Sequence, residues 1–318
     1  MSNNIAIGVL AYNVENYITP LVEELDELNL PIYVIDDSST DETYKRLVKL
    51  QEKIDFKIIR NDKNYGAGAS TKKIIQIAYR DKYKFLIKVD GDGQFETADI
   101  KKIIELYRKN EFEFIKSNRF WKNGIKGQMP KKRLFGNLFA TVLMQITTGT
   151  NKLYDPLNGL FGISTKIVEK LESKHYPKRY GYPYFLTVSS IINEFKTHQI
   201  NNVVIYDNQK SNINSLKVLF TLIKLSILFY FKKIKIKKNI GIYQRSAFLD
   251  ISFISSCIIT LYLIFQIIYT LNFAETSLIS AGSLLFVLII NMLLNLLLFI
   301  TSFKEEKAIR NTYITSDR

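Results

Sequence analysis

Hydrophobic positions in the first part of the chain fall into short runs of strand length, separated by longer stretches of helical period. Ile5–Leu10, Ile32–Ile35, Phe56–Ile59, Phe85–Val89, Phe114–Ser117, Leu160–Ile163 and Val203–Tyr206 read as strands. Between them Glu15–Leu28, Thr40–Leu50, Ala67–Tyr79, Thr97–Asn110, Arg133–Thr148, Thr165–Glu172 and Tyr184–Phe195 read as helices. Ser39-Thr-Asp-Glu42 has the spacing of a capping box and predicts that Ser39 starts the second helix. Thr97 suits the cap of the fourth, and Gly149 stops the fifth. Strands alternating with helices predict an α/β fold built on a mostly parallel sheet covered on both faces. No internal repeat or low-complexity segment interrupts the pattern.

The pattern changes after Ser215. Leu216–Phe231 is apolar, but Lys217 and Lys224 interrupt it and it falls short of the roughly 20 residues a crossing needs. It predicts a helix lying at a membrane surface, with Lys232, Lys233, Lys235, Lys237 and Lys238 against anionic lipid. Ile251–Leu271 and Leu278–Ser302 are each long enough to span. Their connection, Asn272–Ser277, holds no base, while Lys and Arg flank the outer ends, so both ends are expected in the cytoplasm. The expected organisation is a catalytic domain over 1–214, a juxtamembrane segment over 215–246, a hairpin over 247–303 and a tail over 304–318. Asn291 and Asn295 share a helix face, which favours hydrogen bonding between the two spans over a transport path; Gln266 also lies within a span. Self-association through these helices is left open. Ile5–Leu10 is too short, and lacks the basic flank, for a signal peptide.

With 318 residues the chain has room for one or two domains, and its net charge of +14 is uneven. Bases gather between Lys116 and Arg133, where there is no acid, and in the lysine cluster after Phe231. Such runs suit a membrane surface, a phosphorylated substrate or nucleic acid, and the apolar hairpin favours lipid phosphate over nucleic acid. The single cysteine, Cys257, excludes a disulfide framework, and two scattered histidines, His175 and His198, argue against zinc.

The densest chemistry lies in Lys88-Val-Asp90-Gly-Asp92-Gly-Gln94. A strand ending in Asp-x-Asp presents two hard oxygens where open α/β sheets bind ligands. Such oxygens suit Mg²⁺ or Mn²⁺, which in turn take phosphate, and Gln94 can add a neutral oxygen. The same residues also suit a plain turn. Asp36 and Asp37 end the second strand and can accept from a base and a ribose, or simply form a turn. Tyr12 and Asn13 end the first strand and put an aromatic where a base can stack. Asn64-Tyr-Gly66-Ala-Gly68 opens a helix whose free N–H groups can seat phosphate. Arg119, in Ser117-Asn118-Arg119-Phe120, has the fork for a diphosphate. Lys131, Lys132 and Arg133 follow a loop, Trp121–Pro130, that mixes an aromatic, glycines and bases. Asp155-Pro-Leu-Asn158-Gly159 can be a turn or lead into another strand of the same sheet, and Lys210-Ser211 follows the last strand and can clamp a phosphate.

Taken in order, AYN at 11–13, DDSS at 36–39, NYGAG at 64–68, DGDGQ at 90–94, SNRF at 117–120, DPLNG at 155–159 and KS at 210–211 resemble glycosyltransferase family 2 with the GT-A fold. The resemblance is to its dolichol-phosphate mannosyltransferase-like, polyprenyl-phosphate branch. It implies a nucleotide-sugar donor held by Tyr12, Asn13, Asp36, Asp37, Asn64, Gly66 and Asp90. It implies Mg²⁺ or Mn²⁺ at Asp90, Asp92 and Gln94, and phosphates served by Arg119, Lys131, Lys132, Arg133, Lys210 and Ser211. The reaction implied is inverting transfer of one sugar to a polyprenyl phosphate at the cytoplasmic face of the membrane, with Asp155 as the base if one is required. Relatives carry acids in the helix matching Tyr184–Ser189, and this chain has none there. A phosphate nucleophile is already ionised and needs no strong base, whereas a sugar hydroxyl does. Transfer to a glycan or lipid-linked sugar hydroxyl, and an inactive nucleotide-sugar-binding scaffold, are the other readings.

Overall fold

The first strand, β1 (Ile5–Ala11), is buried along its whole length, as an apolar run must be when helices cover both faces of its sheet. It pairs in parallel with β2 (Ile32–Asp36) on one side and β4 (Phe85–Asp90) on the other, and β2 pairs in parallel with β3 (Lys57–Arg60). The computed structural model describes residues 4–171, 174–206, 215–239, 244–273 and 278–317. They divide into two compact units, Met1–Ile227 with Tyr313–Arg318, and Leu228–Thr312.

The first unit is an α/β domain. Among the described residues its sheet has eight strands in the order β10-β8-β5-β7-β4-β1-β2-β3. β5 (Phe114–Asn118) and β8 (Thr197–Asn201) run parallel to the rest, and β7 (Phe161–Ser164) lies antiparallel between β4 and β5. The chain order reverses between β1 and β4, so the crevice at their carboxyl ends is the switch point where such sheets take ligands. Helix α1 (Glu15–Asp26) buries Ile18, Leu21, Val22 and Leu25, the spacing of a single apolar stripe. Helices α3 (Ala67–Arg80) and α4 (Thr97–Asn110) bury Ile74 with Ile75 and Ile100 with Ile103 in the same way.

Several local expectations change. Helix α2 runs over Thr43–Leu50 and begins after the expected capping box, whose polar groups instead tie two loops together. Ser39 Oγ accepts from Asn13 N–H, Thr43 Oγ1 from Val14 N–H, and Asp41 Oδ2 from Glu15 N–H. Thr97 does not cap α4; its hydroxyl donates to Glu24. The stretch after Phe195 is a strand, β8. The last expected strand, β9 (Val204–Tyr206), leaves the main sheet and pairs with β6 (Ile125–Gly127), which lies inside the basic loop.

The second unit and its approach are helical. Helix α8 (Ser215–Asn239) is one 25-residue helix that runs through the lysines instead of ending before them. Lys233 and Lys237 do not face lipid: both are buried, paired with Asp250 and Glu306. Lys232 and Lys235 are exposed, and the Lys238 side chain lies outside the described residues. Helices α9 (Gln244–Phe273) and α10 (Leu278–Arg310) contain the stretches Arg245–Thr270 and Gly282–Arg310, long and apolar enough to cross a membrane. Between them Asn291 donates to Ser256 O and Thr260 Oγ1, and Asn295 donates to Thr260 Oγ1, as the shared face of the two asparagines predicts.

Segment 304–318, expected as a tail, is the end of α10 followed by a strand, β10 (Ile314–Ser316). β10 joins the main sheet in parallel against β8, with Ile314 fully buried. Asp317 then accepts from Lys102, from His198 Nε2 at 3.2 Å and from Asn201 N–H at 3.0 Å. Nothing in Tyr-Ile-Thr-Ser announces a strand, because three residues carry too little period. Replacing Asp317 with Ala strands these donors, so the first unit is expected to lose about 1–3 kcal/mol. A denaturant midpoint equal to that of the parent protein would show that Asp317 adds nothing to the sheet.

Candidate active site

The carboxyl ends of β1, β2 and β4 bring together the polar turns that the sequence singled out. Asp90 closes β4, and its Oδ1 takes a hydrogen bond from the ammonium of Lys88 on the same strand. Its Oδ2 faces Gly159, where a Cβ would collide with it, so only glycine lets the 155–159 turn approach this closely. Asp92, two residues on, accepts from Gln94 N–H at 3.3 Å. Burial, then the charge of Asp90, pushes its carboxyl up to about 6, although Lys88 and Arg133 pull the other way. Two carboxylates this close in sequence at one strand end favour a cation between them. The Asp90 and Asp92 oxygens are hard donors of the kind that would hold Mg²⁺ or Mn²⁺. No group of three or more acids, histidines or cysteines forms a metal cage among the described residues. Gln94 is buried, and its backbone carbonyl accepts from Ile205 N–H.

The nucleotide-side residues converge, but several are already engaged. Tyr12 is exposed at the mouth of the crevice. Asn13 adopts the left-handed conformation, φ 53°, and its Oδ1 accepts from Thr40 N–H. Asp36 is fully buried; it accepts from Ser39 N–H and pairs with Arg60 at 3.2 Å. Asp37 accepts from Asn61 and from the N–H groups of Tyr65 and Gly66, so it organises the 64–68 loop from below. That loop does not offer an open helix start. Ala69 N–H is taken by Lys178 O, and a Cβ at Gly68 would collide with Pro177 O, so these glycines admit the 177–179 backbone. Asn64 keeps Oδ1 buried with no hydrogen-bond donor among the described residues, while its carbonyl accepts from Arg179.

Arg119 follows β5, and its guanidinium is buried between Asp155 and Tyr206. Nε and Nη2 donate to the two oxygens of Asp155 at 2.7 and 3.1 Å, and Nη1 donates to Tyr206 OH at 2.7 Å. Burial works against the guanidinium charge, but Asp155 more than offsets it and the group stays firmly ionised. Asp155 is fully buried at φ 54° and also accepts from Asn158 Nδ2 and Arg119 N–H. Its carboxylate is thus engaged by Arg119 and Asn158. Lys116, also on β5, donates to Asp155 O, and burial pulls its ammonium down to about 8 against the opposing charge of Asp155. Helix α5 (Lys131–Thr148) starts with Lys131 and Lys132 exposed. Arg133 lies over the ring of Tyr206, 5.2 Å from its centroid, and its charge is felt at Asp92. Lys210 and Ser211 lie outside the described residues.

Lys88 and Lys116 were named from the sequence without a role in the site, and Tyr182 was not singled out. For Lys88 and Lys116 the signal was present: each is a lone base in an apolar strand, where burial demands a partner. Tyr182 carried none; its ring lies 5.4 Å from the Lys88 ammonium only because the chain returns there.

Comparison with known proteins places the fold in a family. Residues 6–171 match the family model of glycosyl transferase family 2, and the chain belongs to that family. It is 28% identical over 187 residues to the UDP-N-acetylglucosamine–dolichyl-phosphate N-acetylglucosaminyltransferase of Methanococcus voltae, covering 54% of this chain and 73% of that one. It is 27% identical over 161 residues to the dolichol-phosphate mannosyltransferase of Pyrococcus furiosus, covering 50% and 45%. An uncharacterized protein of Methanocaldococcus jannaschii is 30% identical over 139 residues, 43% of this chain and 58% of that one. The chain thus spans about half the length of two of these three relatives. Glucosyl-3-phosphoglycerate synthase of Mycobacterium tuberculosis shares the fold, with a TM-score of 0.56 at 16% identity over 71% of this chain and 80% of that chain. Another structure of that enzyme, with Mn²⁺ and UDP-glucose, gives 0.55, 16%, 71% and 79%.

Replacing Asp155 with Ala leaves a buried guanidinium without its partner, a loss of about 3–5 kcal/mol in stability. Changing Arg119 to Met as well is expected to restore part of that loss. Equal unfolding midpoints for the parent and the Asp155→Ala protein would overturn the positioning role and reopen a role for Asp155 as a base.

Proposed function

We propose that the protein is a membrane-anchored, inverting glycosyltransferase that moves a sugar from a nucleotide-sugar donor to a polyprenyl phosphate at the cytoplasmic face of the membrane. The observation that carries this reading is helix α5. Its first turn lays Arg133 over the ring of Tyr206, and its outer face exposes Phe135, Leu138, Phe139, Val142 and Ile146. Those positions, spaced by three and four, form one continuous apolar stripe headed by Lys131 and Lys132. A stripe of this kind beside a phosphate-binding edge matches a substrate that is anionic at one end and hydrocarbon at the other. The two relatives named for transfer to dolichyl or dolichol phosphate support the same acceptor class.

In this reading Tyr12 stacks on the nucleotide base, and Asn64 Oδ1 supplies an acceptor at the loop. Asp90 and Asp92 would hold a divalent cation, which when bound neutralises the charge developing on the departing diphosphate. Lys131, Lys132 and Arg133 draw the acceptor phosphate to the same edge. One of its oxygens attacks the anomeric carbon, that carbon's bond to the diphosphate oxygen breaks, and the diphosphate leaves with the electron pair. The attack comes from the opposite face, so the configuration inverts. The acceptor oxygen is already ionised near neutral pH and needs no proton removed. That requirement agrees with Asp155 being engaged by Arg119.

The test is incubation of the purified protein, in lipid with undecaprenyl or dolichyl phosphate, with a panel of labelled nucleotide sugars. Label is expected in an acid-labile lipid fraction, and Asp92→Asn is expected to lower that transfer by about a hundredfold or more. Label in an acid-stable glycan would point to a hydroxyl acceptor, and no transfer from any donor would point to a scaffold; either result rejects the proposal.

The cytoplasmic assignment rests on the bases flanking the hairpin and on β10, which follows α10 after Asn311-Thr312-Tyr313 and lies in the sheet of the catalytic unit. In a Cys257→Ser background, a cysteine at Ser277 is expected to react with an impermeant thiol reagent from outside the cell, and one at Lys304 is not. The reverse labelling pattern would invert the topology.

A further inference from the structure

Lys88 occupies a position where the strand itself has no use for a charge. Leu86, Ile87 and Val89 surround it in sequence, and across the sheet it stands between Gly8 of β1 and Phe161 of β7. It is fully buried, its ammonium donates to Asp90 Oδ1, and the ring of Tyr182 packs beside it. Gly159 lets the backbone of the 155–159 turn close against Asp90 Oδ2, which leaves that carboxylate little room to swing away from Lys88. A cation placed between Asp90 and Asp92 therefore meets a positive charge already fixed on one of its two carboxylates.

We propose that Lys88 is a built-in counter-cation that keeps the divalent-cation affinity of the Asp90–Asp92 pair low until a diphosphate arrives. The inference rests on reading those two carboxylates as the metal–diphosphate site. Like charges repel, and because the Lys88 ammonium is fully buried water screens it only from the Asp90 side; the effect falls on any dication that approaches the pair alone. A nucleoside diphosphate brings enough negative charge to outweigh a single ammonium. Metal and nucleotide then load together, and the empty site does not trap free metal. Lys88 is a positioning residue here, acting through Asp90.

The test is Mn²⁺ binding, followed by the spin-resonance signal of free Mn²⁺, on the full-length protein in detergent without acceptor or turnover. In the parent protein, UDP or GDP is expected to tighten Mn²⁺ binding by about tenfold or more. Lys88→Met keeps the length and apolar packing of the side chain and removes the charge. It is expected to bind Mn²⁺ about tenfold more tightly without nucleotide, with a smaller response to UDP or GDP. Lys88→Arg keeps the charge and is expected to resemble the parent. Lys88→Gln serves as a second uncharged variant, with thermal melting as the check that each protein is folded. Unchanged or weaker Mn²⁺ binding in the folded uncharged variants overturns the role of Lys88 while leaving the metal site in place. Equal Mn²⁺ affinity in the parent with and without nucleotide overturns it as well. Absence of Mn²⁺ binding in every protein, with and without nucleotide, overturns both the inference and the reading beneath it.

Discussion

Charge that is stripped of water at the carboxyl edge of a sheet survives only where another group meets it, and that constraint shapes this site. Asp155 and Arg119 are the extreme case. Each is buried, each takes more than one hydrogen bond from or to the other, and Asn158 and Tyr206 complete the set. Through them β5, the 155–159 turn and β9 are held together, and the turn in turn presents Gly159 to Asp90. Asp36 has Arg60, Asp37 has the N–H groups of the following loop, and Asp90 has Lys88. Placing acids here thus required partners, from distant parts of the chain for Asp36, Asp37 and Asp155 and from the same strand for Asp90.

This explains which parts of the molecule were legible in the sequence. The alternation of apolar strands with amphipathic helices gave β1 to β5 and α1 to α4 nearly in place, because each element declares its own buried face. The turns bearing Asp90, Asp92, Asp36, Asp37, Tyr12 and Asn13 were found because they end those strands. The roles of individual side chains were less legible. Arg119 and Asp155 were read singly, one for phosphate and one as a base, because sequence shows the residue type but not that the two pair across 36 positions. The 64–68 glycines looked like a phosphate cradle, yet what they admit is the backbone of 177–179, and no local pattern encodes that return of the chain. β6 and β10, of three residues each, were missed for want of period.

The lysines after Phe231 teach the same lesson in the second unit. Read as a run, they suit a lipid surface, but a helix turns successive residues to different faces. Lys233 and Lys237, four apart, fall on one face of α8 and meet Asp250 and Glu306. Tyr230 and Ser302 both donate to Asp250 Oδ1 and Lys237 to Oδ2, so that carboxylate of α9 is bound from α8 and from α10. A buried set of this kind contributes little net stability over an apolar one, because desolvation offsets the attraction. It contributes more to register. If α8 slid against α9 and α10 by one residue, the pair Lys233 and Lys237 would give way to Lys232 with Ile236 or to Ile234 with Lys238, one ammonium for two carboxylates. The apolar spans by themselves define no such register, since Leu, Ile and Phe pack nearly as well one step along. The charges therefore specify the position of α8 on the hairpin, while Asn291 and Asn295 do the same between the spans, where hydrogen bonds to Ser256 and Thr260 substitute for charge.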